Sequence, residues 1–144
     1  MEAPRAFANS TSISAGIDFG MTQLDRAPYK ARRRVIDVSG DGDNNSGREP
    51  TAARDVAIAR GITINGLVIL TEPPSHSYSS HTNPPGGLAN YYRNNVIGGV
   101  GAFVAVAENF NSFGNAITKK LIAEIAQAEP QQQEDSQKRP NLRN

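Results

Sequence analysis

Three short runs of apolar, mostly β-branched residues set the strongest limit on what this chain of 144 residues can fold into. They are Val35, Ile36 and Val38; then Ile62, Ile64, Leu67, Val68 and Ile69; then Phe103, Val104 and Val106. Such runs, bounded by turn or loop residues, read as buried strands. Between them the spacing becomes helical. Ile13, Ile17, Met21 and Leu24 predict a helix from about Ser12 to Arg26, with Ser12 or Thr11 as N-cap. Pro50 suits the first turn of a second helix, whose narrow apolar face is Ala52, Ala53, Val56 and Ala59 and whose end is Gly61. Leu88 to Asn95 reads as a short third helix carrying Tyr91 and Tyr92, broken by Gly98-Gly99-Val100-Gly101. Asn109 caps a fourth, for which Phe110, Phe113, Ile117, Leu121 and Ile125 predict one apolar face.

Strands that alternate with helices imply a parallel sheet in three layers, with helices on both faces. The strands are continuous apolar runs rather than alternating ones, as a sheet covered on both sides requires. The length suits one domain. The expected domain spans 1–128. The stretch 129–144, rich in Gln and charge, is expected to be a disordered polar tail.

Composition removes several function classes. Zero Cys excludes disulfides, thiolate zinc sites, iron–sulfur clusters and cysteine nucleophiles. A net charge of +1 gives no reason to expect nucleic acid as a partner. Arg32-Arg33-Arg34 is therefore expected to be a solvated strand entrance rather than a phosphate site. The longest mostly apolar run, Asn95 to Ala107, contains three glycines and falls short of a membrane span. Met1 to Ser10 lacks the apolar segment of a signal peptide. His76 and His81 lie in a Pro- and Ser-rich loop from Thr71 to Gly87 without nearby ligands, so they are expected to be surface residues.

The loop after the first strand is the candidate site. In open α/β sheets ligands bind beyond the carboxyl ends of the strands. Asp41 stands there, followed by Asp43, Asn44, Asn45 and Ser46. Hard oxygen donors suit Mg²⁺, Ca²⁺ or Mn²⁺, and the same residues also serve a plain turn. An EF-hand is excluded, because Ser46 stands where Gly is needed and Ala52 where Glu is needed. Asp41-Gly42-Asp43 resembles the Asp-x-Asp of haloacid-dehalogenase-type phosphatases, in which the first Asp is the nucleophile. Asn45 departs from that pattern, and no later acidic cluster is present to hold Mg²⁺.

Longer strings carry a second resemblance. Arg33 to Gly42 (RRVIDVSGDG), NNSGR, Ala52 to Leu67 (AARDVAIARGITINGL), Tyr91 to Val104 (YYRNNVIGGVGAFV) and KKLIAEIA resemble a bacterial family of von Willebrand factor A-like proteins, domain of unknown function 1194. The similarity runs from about Thr11 to Ala126. It implies a Rossmann-like three-layer sheet and a metal-ion-dependent adhesion site, in which loops at the top of the sheet hold a divalent cation. In that scheme Thr11 takes the place of the family's threonine ligand and Asp41 that of its third-loop aspartate. The Asp-x-Ser-x-Ser loop and the first three strands have no counterpart, so the chain resembles the C-terminal half of the family's domain.

The resemblance implies a non-catalytic module that binds protein or peptide through an acidic group, with Mg²⁺ or another divalent cation held weakly or lost. A truncated structural fragment, or a Mg-dependent phosphatase using Asp41, are the alternatives. Family members commonly carry export signals, which suggests a periplasmic or exported ancestor. Without a strand beside it, the first strand is expected to leave an unpaired edge and to promote self-association.

Overall fold

The computed structural model describes residues 10–70 and 82–128. The tail from 129 and both histidines lie outside the described residues. The element order is α1 (Ile13–Arg26), β1 (Arg34–Gly40), α2 (Pro50–Ala59), β2 (Ile62–Ile69), α3 (Leu88–Asn95), β3 (Val104–Ala107), a 3₁₀ turn at Phe110–Ser112, and α4 (Phe113–Ala128). The strands form one parallel sheet in the order β1-β2-β3. This is the expected α/β architecture, a three-layer Rossmann-like sheet flanked by helices.

Local chemistry accounts for the boundaries. Ser12 caps α1, its hydroxyl accepting the Ala15 N–H at 3.3 Å. Pro50 occupies the first turn of α2, where its missing N–H costs nothing. Gly61 follows α2 with φ +70, a left-handed turn that a side chain would strain. Arg34 donates from its guanidinium to the carbonyl of Arg60, satisfying an acceptor at the end of α2.

β2 is the spine of the molecule, and all of its residues are buried. One face of the sheet packs Ile36, Ile62, Ile64 and Val68 under Ile13, Ile17 and Met21 of α1, Ala53 and Ala57 of α2, and Leu88 and Tyr92 of α3. Full burial of a side chain such as Ile17 contributes about 1.5–3 kcal/mol. The small Ala53 and Ala57 let α2 approach the sheet closely. The other face is covered by α4, where Phe113, Ala116 and Ile117 meet Leu67, Ile69 and Ala107.

α4 corrects one expectation. Phe113 and Ile117 pack on the sheet, but Leu121 and Ile125 are 48% and 65% exposed. A stripe repeating every four residues drifts by about 40° per step on a helix of 3.6 residues per turn. Over three steps it winds away from the sheet. Positions 120 and 124 face inward instead, and they are a lysine and a glutamate.

Lys120, only 4% exposed, anchors a polar cluster on this face. Its ammonium meets Asp37 Oδ1 at 2.5 Å and Glu124 Oε1 at 2.9 Å. Asn65 donates to the same Glu124 oxygen at 2.6 Å and accepts the Phe103 N–H at 3.3 Å. Lys120 also stands 5.8 Å from the centre of the Phe103 ring. Burial pushes the Glu124 carboxyl up, but hydrogen bonds from Lys120 and Asn65 and the lysine charge outweigh it, so its pKa falls below the ordinary value. No buried side-chain polar atom among the described residues lacks a partner.

β1 and β3 are the two edges of the sheet. Among the described residues nothing pairs with the outer edge of β1.

Candidate functional site at the top of the sheet

β1 ends at Gly40 and delivers the loop 41–49 to the carboxyl end of the sheet. This loop is fastened to the segment that leads into α1. The N–H of Thr11 donates to Asn45 Oδ1 at 2.7 Å, and the Thr11 carbonyl accepts the N–H groups of Asn45 (3.0 Å) and Ser46 (3.2 Å). The Ile13 N–H donates to Asn44 Oδ1 at 2.8 Å. Arg48 adds an ion pair to Asp18 of α1 at 2.5 Å. At Gly47 (φ +77) an added Cβ would lie 2.8 Å from the Ser12 hydroxyl, so the two segments touch there without room for a side chain.

Two tyrosines of α3 support the loop from below. The Tyr91 hydroxyl accepts the Asn44 N–H at 3.2 Å. The Tyr92 hydroxyl donates to the Gly42 carbonyl at 3.4 Å. Tyr92 is wholly buried, and its ring lies across Gly66, where an added Cβ would come 3.0 Å from Cδ1. The two rings meet edge to face, 6.2 Å apart. Burial, then the charges of Asp41, Tyr91 and Asp43, push the Tyr92 phenol well above its ordinary pKa. Burial raises Tyr91 as well, opposed by the Asn44 N–H and reinforced by Asp43 and Glu49. Both shifts move ionisation further into the alkaline range, beside carboxylates.

Thr11 and Asp41 are thus brought to adjoining segments at one end of the sheet. Asp41 is exposed and Asp43 half-buried. Asn44 and Asn45 are not free ligands. Their side-chain oxygens are committed to backbone N–H groups, and they act as braces. A hydroxyl and a carboxylate are the right kind of donor for a hard cation, but two are few. Among the described residues no group of three or more His, Cys, Asp or Glu is arranged to hold a metal ion. A cation bound here would need most of its ligands from water or from a partner.

Two groups were not visible as a site in the sequence. The Lys120 cluster had one signal, Asn65 in the middle of an otherwise apolar run. At the opposite end of the sheet, Arg32, Arg33, Ile58, Thr63 and the 99–101 glycine turn line a cavity of about 550 Å³. Arg33 donates to the Glu124 carbonyl at 3.2 Å, so part of the arginine run braces backbone rather than standing free in solvent.

Residues 1–129 match the family described as Protein of unknown function (DUF1194). No curated protein and no solved structure matches the chain.

Proposed function

The chain belongs to the DUF1194 family, and from that premise we propose that it is a non-catalytic protein-binding module of the von Willebrand A-like kind. It corresponds to the C-terminal half of such a domain. Its binding face is the top of the sheet, and a divalent cation such as Mg²⁺ or Mn²⁺ is held there weakly, by the Thr11 hydroxyl and the Asp41 carboxylate. The partner is a protein or peptide whose own carboxylate supplies a further ligand.

One observation carries this reading. The 41–49 loop is locked to the start of α1 by hydrogen bonds through Asn44 and Asn45, while Asp41 is left exposed. A rigid rim that presents an exposed carboxylate is what a metal-bridged contact needs, because the ordering cost is already met by the fold. What the cation supplies is a positive charge between two carboxylates that would otherwise repel. The chain's own residues fix the loop and present the oxygens.

Calorimetric titration with Mn²⁺ tests the assignment. Weak binding, lost in Asp41→Asn and reduced in Thr11→Val, is expected. Equal binding by Asp41→Asn would remove the site from this loop. Micromolar affinity in the free chain would show that the ligand set is complete without a partner.

A further inference from the structure

We propose that the cavity at the foot of the sheet binds a small organic acid, whose carboxylate sits on the Arg32 guanidinium and whose apolar body lies against Ile58, Ile62 and Val100. The cavity measures about 550 Å³. Small-molecule sites are commonly about 300–1,000 Å³. It lies at the other end of the sheet from the Asp41 loop and does not depend on a cation there.

Three segments line it: the entry to β1 at Arg32 and Arg33, the passage from α2 into β2 at Ile58 and 61–63, and the turn at 99–101. The turn is fastened to β2. Gly98 accepts the Ile64 N–H at 2.8 Å and donates its own N–H to the Ile64 carbonyl at 3.2 Å. The Thr63 hydroxyl donates to the Val100 carbonyl at 3.0 Å. At Gly99 (φ +93) an added Cβ would lie 2.9 Å from Thr63 Cα, so only glycine lets the turn press this closely on the strand. This wall is preformed, and a ligand does not have to order it.

The charge of the ligand follows from the lining, which holds two arginines and no acidic residue. The three arginines of this run have different duties. Arg34 donates to the Arg60 carbonyl and Arg33 to the Glu124 carbonyl. Arg32 is exposed and makes no hydrogen bond or ion pair among the described residues. Its planar fork matches a carboxylate through two parallel N–H···O bonds. Arg33, braced on the Glu124 carbonyl, adds a second positive charge to the same lining.

The apolar body follows from the rest of the lining. Ile58, Ile62 and Val100 are aliphatic, and Val100 is 91% exposed, so its side chain is available to a ligand. An inorganic anion would leave that surface in water, whereas a hydrocarbon body covers it. A singly charged carboxylate also costs less to desolvate than a phosphate.

An NMR titration of the full, metal-free chain with octanoate tests the assignment. Saturable amide shifts are expected at 32–33, 58–63 and 99–101. Octanol lacks the charge, and acetate and inorganic phosphate lack the apolar body. Each should bind at least about tenfold more weakly than octanoate. Arg32→Gln and Val100→Asp should weaken octanoate by a similar factor. Both positions are exposed, so both variants should fold, which circular dichroism checks. The comparison of ligands on the wild type needs no variant.

Absence of saturable binding would overturn the proposal. So would shifts that gather on the loop 41–49, or on the exposed Leu121, Ile122 and Ile125 of α4. Octanol, acetate or phosphate binding as well as octanoate would overturn it too, as would octanoate binding indifferent to both variants.

Discussion

The Tyr92 hydroxyl fills the space that a side chain at Gly40 would need: an ideal Cβ there would lie 2.5 Å from it. The last residue of β1 and the buried tyrosine of α3 are thus fitted to each other, and the fit positions the loop that begins one residue later.

Gly40→Ala is therefore expected to destabilise the fold by about 1–3 kcal/mol, because Tyr92 is wholly buried and has nowhere to move. Tyr92→Phe removes the clashing oxygen along with its bond to Gly42. The double variant should be less destabilised than the sum of the two, and urea melts of the four proteins would measure that coupling.

Lys120→Met removes one charge from a buried cluster and leaves Asp37 and Glu124 without their cation. Asp37 is exposed and Glu124 keeps its bond from Asn65, so the cost should be about 1–3 kcal/mol in urea unfolding. Leu121→Lys, one position along, should stay within about 0.5 kcal/mol of wild type in dilute solution, since Leu121 is exposed.

Acid should act through Glu124. Its folded pKa lies below the ordinary carboxylate value, so the unfolded chain binds the proton more readily. The stabilisation is present above the unfolded pKa and is lost as pH falls through the folded one. Thermal melts between about pH 6 and pH 3 should show a drop that Glu124→Gln reduces, once its lower starting stability is allowed for.

Alkali should act through Tyr92. Its folded pKa is raised by burial and by Asp41, so its contribution is present below the unfolded value and is lost as pH rises. A pH titration of tyrosinate absorbance should show one phenol that ionises only with unfolding, absent in Tyr92→Phe.

Asn44→Ala leaves the Ile13 N–H without its acceptor and should cost about 1–2 kcal/mol. Amide exchange should rise at the start of α1 and in the loop 41–49 together, because one side chain holds both.

Periodicity and turn chemistry made most of the fold legible. The short α3 is found at Leu88–Asn95 as expected, because Gly87 and the glycine run after Ile97 bracket it. The second half of α4 departs from its apolar stripe because its inward positions past Ile117 carry charge, and a pattern counted on apolar residues passes over Lys120. The candidate site was half legible. Asp41 follows from its place after a strand, and Asn44 and Asn45 from their abundance of oxygen. That those oxygens are spent on backbone N–H groups of a segment more than thirty residues away is a tertiary fact with no local signature.

The Lys120 cluster has one more consequence. Asp37 and Asn65 are level with each other across β1 and β2. A slip of β1 by two residues would keep every apolar side chain on its own face, so hydrophobic packing alone tolerates it. The same slip would bring Val35 or Ser39 to that level and strand a buried ammonium without its aspartate. The ion cluster is therefore a pin for strand alignment, specifying which of several equally greasy sheets this chain makes.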